Sequence, residues 1–133
     1  MRSTLLCILD RNRWFAILSL AAPLMSGCGN SRPPLAPVRG VAALDGKPLV
    51  YADIIFQPDT GRQSSARTDE QGRFRLEYLP GIEGALIGQH TVRIHRMDPD
   101  TFVDYVPPKY NAKSELRVKV AEGPNQLDFN LKH

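Results

Sequence analysis

Val38-Arg39-Gly40-Val41-Ala42-Ala43-Leu44-Asp45-Gly46-Lys47-Pro48 alternates and then breaks. Val38, Ala42 and Leu44 share one side of an extended chain, with Gly40 among them, because successive side chains of a strand point to opposite faces. Gly46 tolerates a positive φ and Pro48 cannot donate to a ladder, so residues 45–48 end the strand. The period of two then resumes. Ala52, Ile54 and Phe56 point inward, Asp53, Ile55 and Gln57 outward, and Pro58-Asp59-Thr60-Gly61 is the next turn.

The pattern continues downstream. A short polar strand, Ser64 to Thr68, leads into the turn Asp69-Glu70-Gln71-Gly72, after which Phe74 and Leu76 alternate with Arg73, Arg75 and Glu77. Leu79 to Gly88 holds three glycines and one proline and reads as a loop. Val92 and Ile94 mark another inward face, with Thr91, Arg93 and His95 outward, and Met97 to Ser114 is the longest irregular stretch. Leu116, Val118 and Val120, then Leu127, Phe129 and Leu131, define two last strands. No segment keeps helical spacing for three turns, and seven strands with regular turn signals predict an all-β sandwich over residues 36–133.

Upstream the chain changes character. Arg2, Arg11 and Arg13 precede an apolar run from Trp14 to Leu24, which ends in Met25-Ser26-Gly27-Cys28. A charged start, a short apolar stretch and small residues at a cleavage point have the anatomy of an export signal. Eleven residues are too few for a spanning helix, which needs about 20. The segment Leu24–Cys28 resembles the lipobox of bacterial lipoproteins, with Met25 where Leu is usual. The resemblance implies a signal peptide at residues 1–27, cleavage after Gly27 and acylation of Cys28, which then anchors the chain in a membrane. Residues 28–35 are expected to be the lipidated Cys and its tether. Three prolines between Gly29 and Pro37 make that spacer semi-extended, on the order of 25 Å long at about 3 Å per residue.

Charge and cysteine content follow from that cut. Removing residues 1–27 takes away three of 17 basic and one of 14 acidic side chains, leaving 14 and 13 and a formal charge of +1. The basic balance of the whole chain thus owes much to the signal, and no nucleic-acid partner is expected. Cys7 leaves with the signal and Cys28 carries lipid, so no thiol is left for a disulfide. The domain is expected to rely on its buried core.

Four segments carry a second resemblance. Val38–Leu49, as V-x-G-x-x-x-x-D-G-K-P-L, Thr68–Phe74, as T-D-x-x-G-x-F, Gly88–Val92, as G-x-Y-x-V with His90 in place of Tyr, and Val106–Tyr110, as V-P-x-K-Y, occur in order. Together they resemble the carboxypeptidase regulatory-like, transthyretin-like domains of bacterial lipoproteins. The resemblance implies a seven-stranded Greek-key transthyretin-like or Ig-like sandwich with no catalytic residues. The hydroxyisourate hydrolases are similar in fold only. Their terminal Tyr-Arg-Gly-Ser is absent, since this chain ends Asn130-Leu131-Lys132-His133.

His90 and His95, five positions apart on one strand, face opposite ways and cannot share a metal. His90 is expected to replace an aromatic at the core edge and His95 to be solvated. Ser64, Ser65, Asp69 and His95 lack a nucleophile turn. Asp69-Glu70 and Asp98-Pro99-Asp100 lack calcium-loop spacing. No metal, cofactor or enzymatic activity is expected. Tyr105 and Tyr110, in the aromatic-proline run of the long loop, form either a ligand platform or the cover of an open sandwich end, and the second reading is preferred.

Arg73, Arg75, Arg93, Arg117 and Lys119 all take outward positions and make one basic patch if their strands share a sheet. Otherwise they are solvated cations paired with Glu77 or Glu115. Arg73, Arg75, Arg93, Tyr105 and Tyr110 are the candidate binding surface. The expected role is a non-catalytic structural, adhesive or protein-binding module at the cell envelope, with envelope proteins or polysaccharide as partners. Gly29 is not the Asp that retains some lipoproteins at the inner membrane, which leans toward the outer one. The alternative, a carbohydrate-binding module, is weakened because Trp14, the sole Trp, leaves with the signal.

Overall fold

The structure, a computed structural model, describes residues 32–133; the expected signal, Met25, Ser26, Gly27 and Cys28 lie outside the described residues. The chain runs β1 (Leu35–Ala36), β2 (Val38–Leu44), β3 (Lys47–Pro48), β4 (Asp53–Pro58), β5 (Ser64–Arg67), β6 (Arg73–Arg75), β7 (Glu77–Leu79), β8 (Ile82–Glu83), β9 (Ala85–Leu86), β10 (Gly88–His95), β11 (Arg117–Val120), β12 (Asn125–Gln126) and β13 (Phe129–Leu131). A 3-10 turn, Pro108–Tyr110, lies between β10 and β11.

Two sheets form a sandwich. One has the order β11-β10-β4-β5-β7-β8; in the other β2 is flanked by β12 and β13 on one side and by β3 and β6 on the other. Within the first sheet, β4, β5 and β7 follow one another antiparallel and β10 returns to the free side of β4, which is the Greek-key order. Phe56, Ile54, Val92, Ile94 and Val120 from this sheet face Val38, Ala42, Phe74, Phe129 and Leu131 from the other, all buried. Phe129 meets Phe56 edge-on at 6.1 Å between ring centres and stacks on Phe74 at 6.0 Å, so three rings join the layers. Each such side chain stabilises the fold by about 1.5–3 kcal/mol relative to exposure.

Local chemistry sets the turns. Asp45 and Gly46 both have positive φ, 52° and 79°, as a two-residue hairpin loop between β2 and β3 requires. Thr68 is buried. Its Oγ1 accepts from Ala52 N (2.8 Å) and donates to Leu49 O (2.5 Å), tying the 49–52 turn to the end of β5. Asp69 Oδ1 accepts from Gln71 N and Arg73 N, both at 2.9 Å, while Gly72 takes φ 76°.

Six of the seven expected strands are present as single strands, the one over residues 73–77 is divided into β6 and β7, and shorter ladders add to them. Residues 79–88, expected as a loop, contain β8 and β9, which pair with β7 and β1. These two-residue ladders are held by backbone partners, so no side-chain alternation marks them. Pairing also begins at Leu35, inside the expected tether, and Pro34 O accepts from Ile87 N. At Leu76 the chain crosses from the second sheet, where β6 pairs with β2, into the first, where β7 pairs with β5.

Strand directions define two ends. The N-terminal segment enters where β4 ends and β10 begins. The opposite, distal end collects the β2–β3 hairpin, the turn at residues 69–72, the connection at residues 96–116 and the C-terminus.

Candidate functional site: the loop at residues 97–105

Beyond β10 the chain makes a small hairpin at the distal end. Met97 bridges Asp104, Asp98 N donates to Val103 O, and Tyr105 N donates to Arg96 O, the last two at 2.9 Å. Asp98 organises the tip. Its Oδ1 accepts from Asp100 N (2.7 Å) and Thr101 N (2.9 Å), and its Oδ2 accepts from the Tyr105 hydroxyl. The Tyr105 hydrogen bond and those two backbone donors hold the Asp98 carboxyl at about 2, below its ordinary 3.8. The same bond raises the Tyr105 hydroxyl above its ordinary value. Arg96 lies over the Tyr105 ring, 5.3 Å from its centre.

Asp104 fastens the base of the hairpin. Oδ1 accepts from Arg96 N and Val106 N, both at 2.9 Å; Oδ2 meets His95 Nδ1 at 3.0 Å and Asn111 Nδ2 at 2.8 Å. Burial pushes its carboxyl up, but the two backbone donors and His95 outweigh that and hold it below the ordinary range. His95, expected to be solvated, is half-buried in this network, because the hairpin folds Asp104 back onto the strand end.

The two candidate tyrosines separate. Val106 is buried, and half-buried Tyr110 packs on the core and accepts from Lys132 N at 3.1 Å, so this pair covers the distal end. Tyr105 points out. With Phe102 (75 % exposed), Val103 (63 %), Met97 (55 %) and Tyr105 (51 %), this loop supplies four of the seven exposed large apolar side chains among the described residues. Phe102 also holds a left-handed backbone, φ 56°, which is costly for a bulky residue. Phe102, Val103 and Asp104 did not stand out in the sequence, and Asp98 did so only within Asp98-Pro99-Asp100. The signal present was Phe102-Val103 between aspartates in a segment with no other apolar period.

The five outward cations do not share one sheet. Arg73 and Arg75 lie on β6 in the second sheet, whereas Arg93, Arg117 and Lys119 lie on β10 and β11 in the first. The crossing at Leu76 divides them between sheets, although Arg75 borders a recess with Asp53, Ile55 and Ser65 of the first sheet. Their partners also differ from Glu77 and Glu115. Arg117 meets Asp59 through two bonds of 2.8 and 3.0 Å, Arg73 meets Asp69 at 3.1 Å, and Arg75 approaches Glu83 at 3.7 Å. The Asp59 and Asp69 carboxyls are lowered, chiefly by the Arg117 side chain and the Arg73 backbone N–H respectively.

His90 is fully buried against Phe56, 5.7 Å between ring centres, with Nε2 2.6 Å from Leu86 O. Its Nδ1 and the hydroxyl of buried Ser64 have no hydrogen-bond partner among the described residues. No group of three His, Cys, Asp or Glu among the described residues is placed to hold a metal ion.

No family model matches the chain, and no curated protein matches it. Among solved structures it is similar to a DUF3823 family protein from Parabacteroides merdae, with 11 % identity, 74 % of this chain and 46 % of that chain covered, and a TM-score of 0.46. The chain thus spans less than half the length of that protein.

Proposed function

We propose that the chain is a bacterial lipoprotein held at the cell envelope by acylated Cys28, and that its sandwich is a non-catalytic module with a structural, adhesive or protein-binding role. The sequence Leu24-Met25-Ser26-Gly27-Cys28 after a short apolar run carries the reading. The carboxypeptidase regulatory-like motifs support it, as does a fixed hairpin that holds apolar side chains outward. Diacyl attachment plus a further chain anchors firmly, at about 0.8 kcal/mol per buried methylene. The outer membrane is the proposed address.

Mass spectrometry of the membrane-extracted protein is expected to find Cys28 as the acylated N-terminal residue. Cys28→Ser is expected to abolish lipid attachment. A mature N-terminus at any other residue, or an unmodified Cys28, overturns the reading.

A further inference from the structure

The tip of the 97–105 hairpin is not the lid of the sandwich. Val106 and Tyr110 close that end, while Phe102 and Val103 remain mostly exposed. Asp98 fixes the hairpin from within and Asp104 from below, so the tip is held rigidly although Phe102 adopts a left-handed backbone. Apolar side chains kept outward under strain mark a surface that meets something else. The tip is also acidic: residues 97–105 contain three Asp and no Lys or Arg. Asp98 and Asp104 are engaged in the hairpin, whereas Asp100 has no ion-pair partner among the described residues.

The outer face of β2 and β6 offers the complement. A groove there, bordered by Arg67 from the end of β5, is lined by Arg39, Val41, Asp69, Arg73 and Arg75, with Val41 37 % exposed. Arg73 is matched by Asp69 and Arg67 by Asp53. Arg39 and Arg75 are not so matched. They stand directly opposite each other in the β2–β6 register and share one carboxylate, Glu83, at 3.0 and 3.7 Å. Like charges facing across strands repel, and one carboxylate for two guanidiniums leaves a positive charge over.

We propose that the tip of one copy docks in this groove of a second copy, with Phe102 and Val103 against Val41 and the Asp100 carboxylate between Arg39 and Arg75. The contact deepens the structural role proposed above and rests on that reading. Tip and groove are different surfaces, one at the distal end and one on a sheet face. The contact is therefore heterologous and can repeat from copy to copy. An anionic bilayer suits the tip less well, because its negative surface repels the aspartates.

Disulfide trapping in the native envelope tests the contact with the full chain. Val103→Cys and Val41→Cys are made in two differently tagged, co-expressed copies; both positions are exposed, so neither change enters the core. A disulfide forms only if the two Cα atoms come within about 7 Å. A mild oxidant is expected to give a mixed dimer carrying both tags, and the double variant in one chain a ladder of higher species. Arg75→Asp is expected to reduce the mixed dimer several-fold, and Asp100→Arg in the tip-bearing copy to restore it. Tip-to-tip dimers alone, adducts with other proteins alone, no adduct, or a yield indifferent to the charge reversal each overturn the contact. The mass of the N-terminal peptide from the same sample reports the Cys28 anchor separately, so failure of either reading shows in its own measurement.

Discussion

At Gly40 the main chain between β12 and β13, in the same sheet, leaves no room for a side chain. A Cβ built there would lie 1.8 Å from Leu127 O and 2.9 Å from Phe74 Cε1. The β2 register continues unchanged from Gln126 to Phe129, and Leu127 N still donates to Arg39 O at 2.9 Å, but the ladder is then interrupted, as Val41 N donates to Asp128 Oδ1 at 3.0 Å. The close approach belongs to that interruption. Gly40→Ala must push back a main-chain carbonyl, and overpacking of this kind costs about 1–3 kcal/mol or more. Urea unfolding is expected to show a midpoint lowered accordingly, with an unchanged slope; a midpoint equal to the parent's would mean the strands part easily there. Nothing in the local sequence marks this constraint, because Leu127 is far away in the chain. Asp45-Gly46 and Asp69 were legible, since the turns they build are local; the role of Thr68 was not, because its partners Ala52 and Leu49 lie 16 and 19 residues away. His90 was legible as a substitute for an aromatic, but its depth was not. Its burial depends on Phe56 and on the β9 carbonyl at Leu86.

The connection at residues 96–111 shows what a sequence withholds at the scale of an element. Its length and irregularity were plain, and so was the aromatic-proline run. The division of labour between Tyr105 and Tyr110 was not, because it depends on Asp104 gathering His95, Arg96, Val106 and Asn111 once the hairpin has folded back. Asp104 also makes the element sensitive to acid. Its carboxyl is lowered from 3.8 in the folded state, so the charged form is favoured by folding. Its contribution is fully present above the ordinary carboxylate value and is lost as pH falls through the lowered folded value. A hydrogen bond to a charged group contributes about 1.5–3 kcal/mol, so Asp104→Asn is expected to melt well below the parent at pH 7. The difference should narrow steadily below about pH 4. Thermal melts of both proteins from about pH 7 down to about pH 2.5, spanning the ordinary carboxylate range, check this. A constant gap would assign the effect to shape rather than charge.

Across the whole molecule, the inward faces were legible and the assignment of strands to sheets was not. Period two places Phe74 beside Leu76, yet Phe74 pairs with β2, Leu76 makes a last bond to that strand at Val38 O, and Glu77 already pairs in the first sheet. The basic patch divided for that reason. Register between distant segments is a property of the backbone, and side-chain alternation is silent about it. The same pairing joins the two ends of the domain. β2 lies parallel to β12 and β13, with Val38 opposite Asn125 and Leu44 opposite Leu131, so an early strand is completed only by the last one. Parallel, long-range closure of this kind leaves the first strand without one neighbour until the C-terminus arrives. Deleting residues 124–133 removes both parallel partners of β2 and the buried Phe129 and Leu131, including the ring that joins Phe56 to Phe74. Those two side chains alone represent about 3–6 kcal/mol of burial, against a net stability of about 5–15 kcal/mol for a typical domain. The truncated chain is expected to lose its cooperative melt by circular dichroism and to aggregate through the bared edge of β2. Deleting only Lys132 and His133 leaves β13 intact and is expected to keep the melt. A cooperative transition in the longer deletion would mean that the first sheet and the β2–β6 pair suffice, and that the last strand is an addition to a fold already complete.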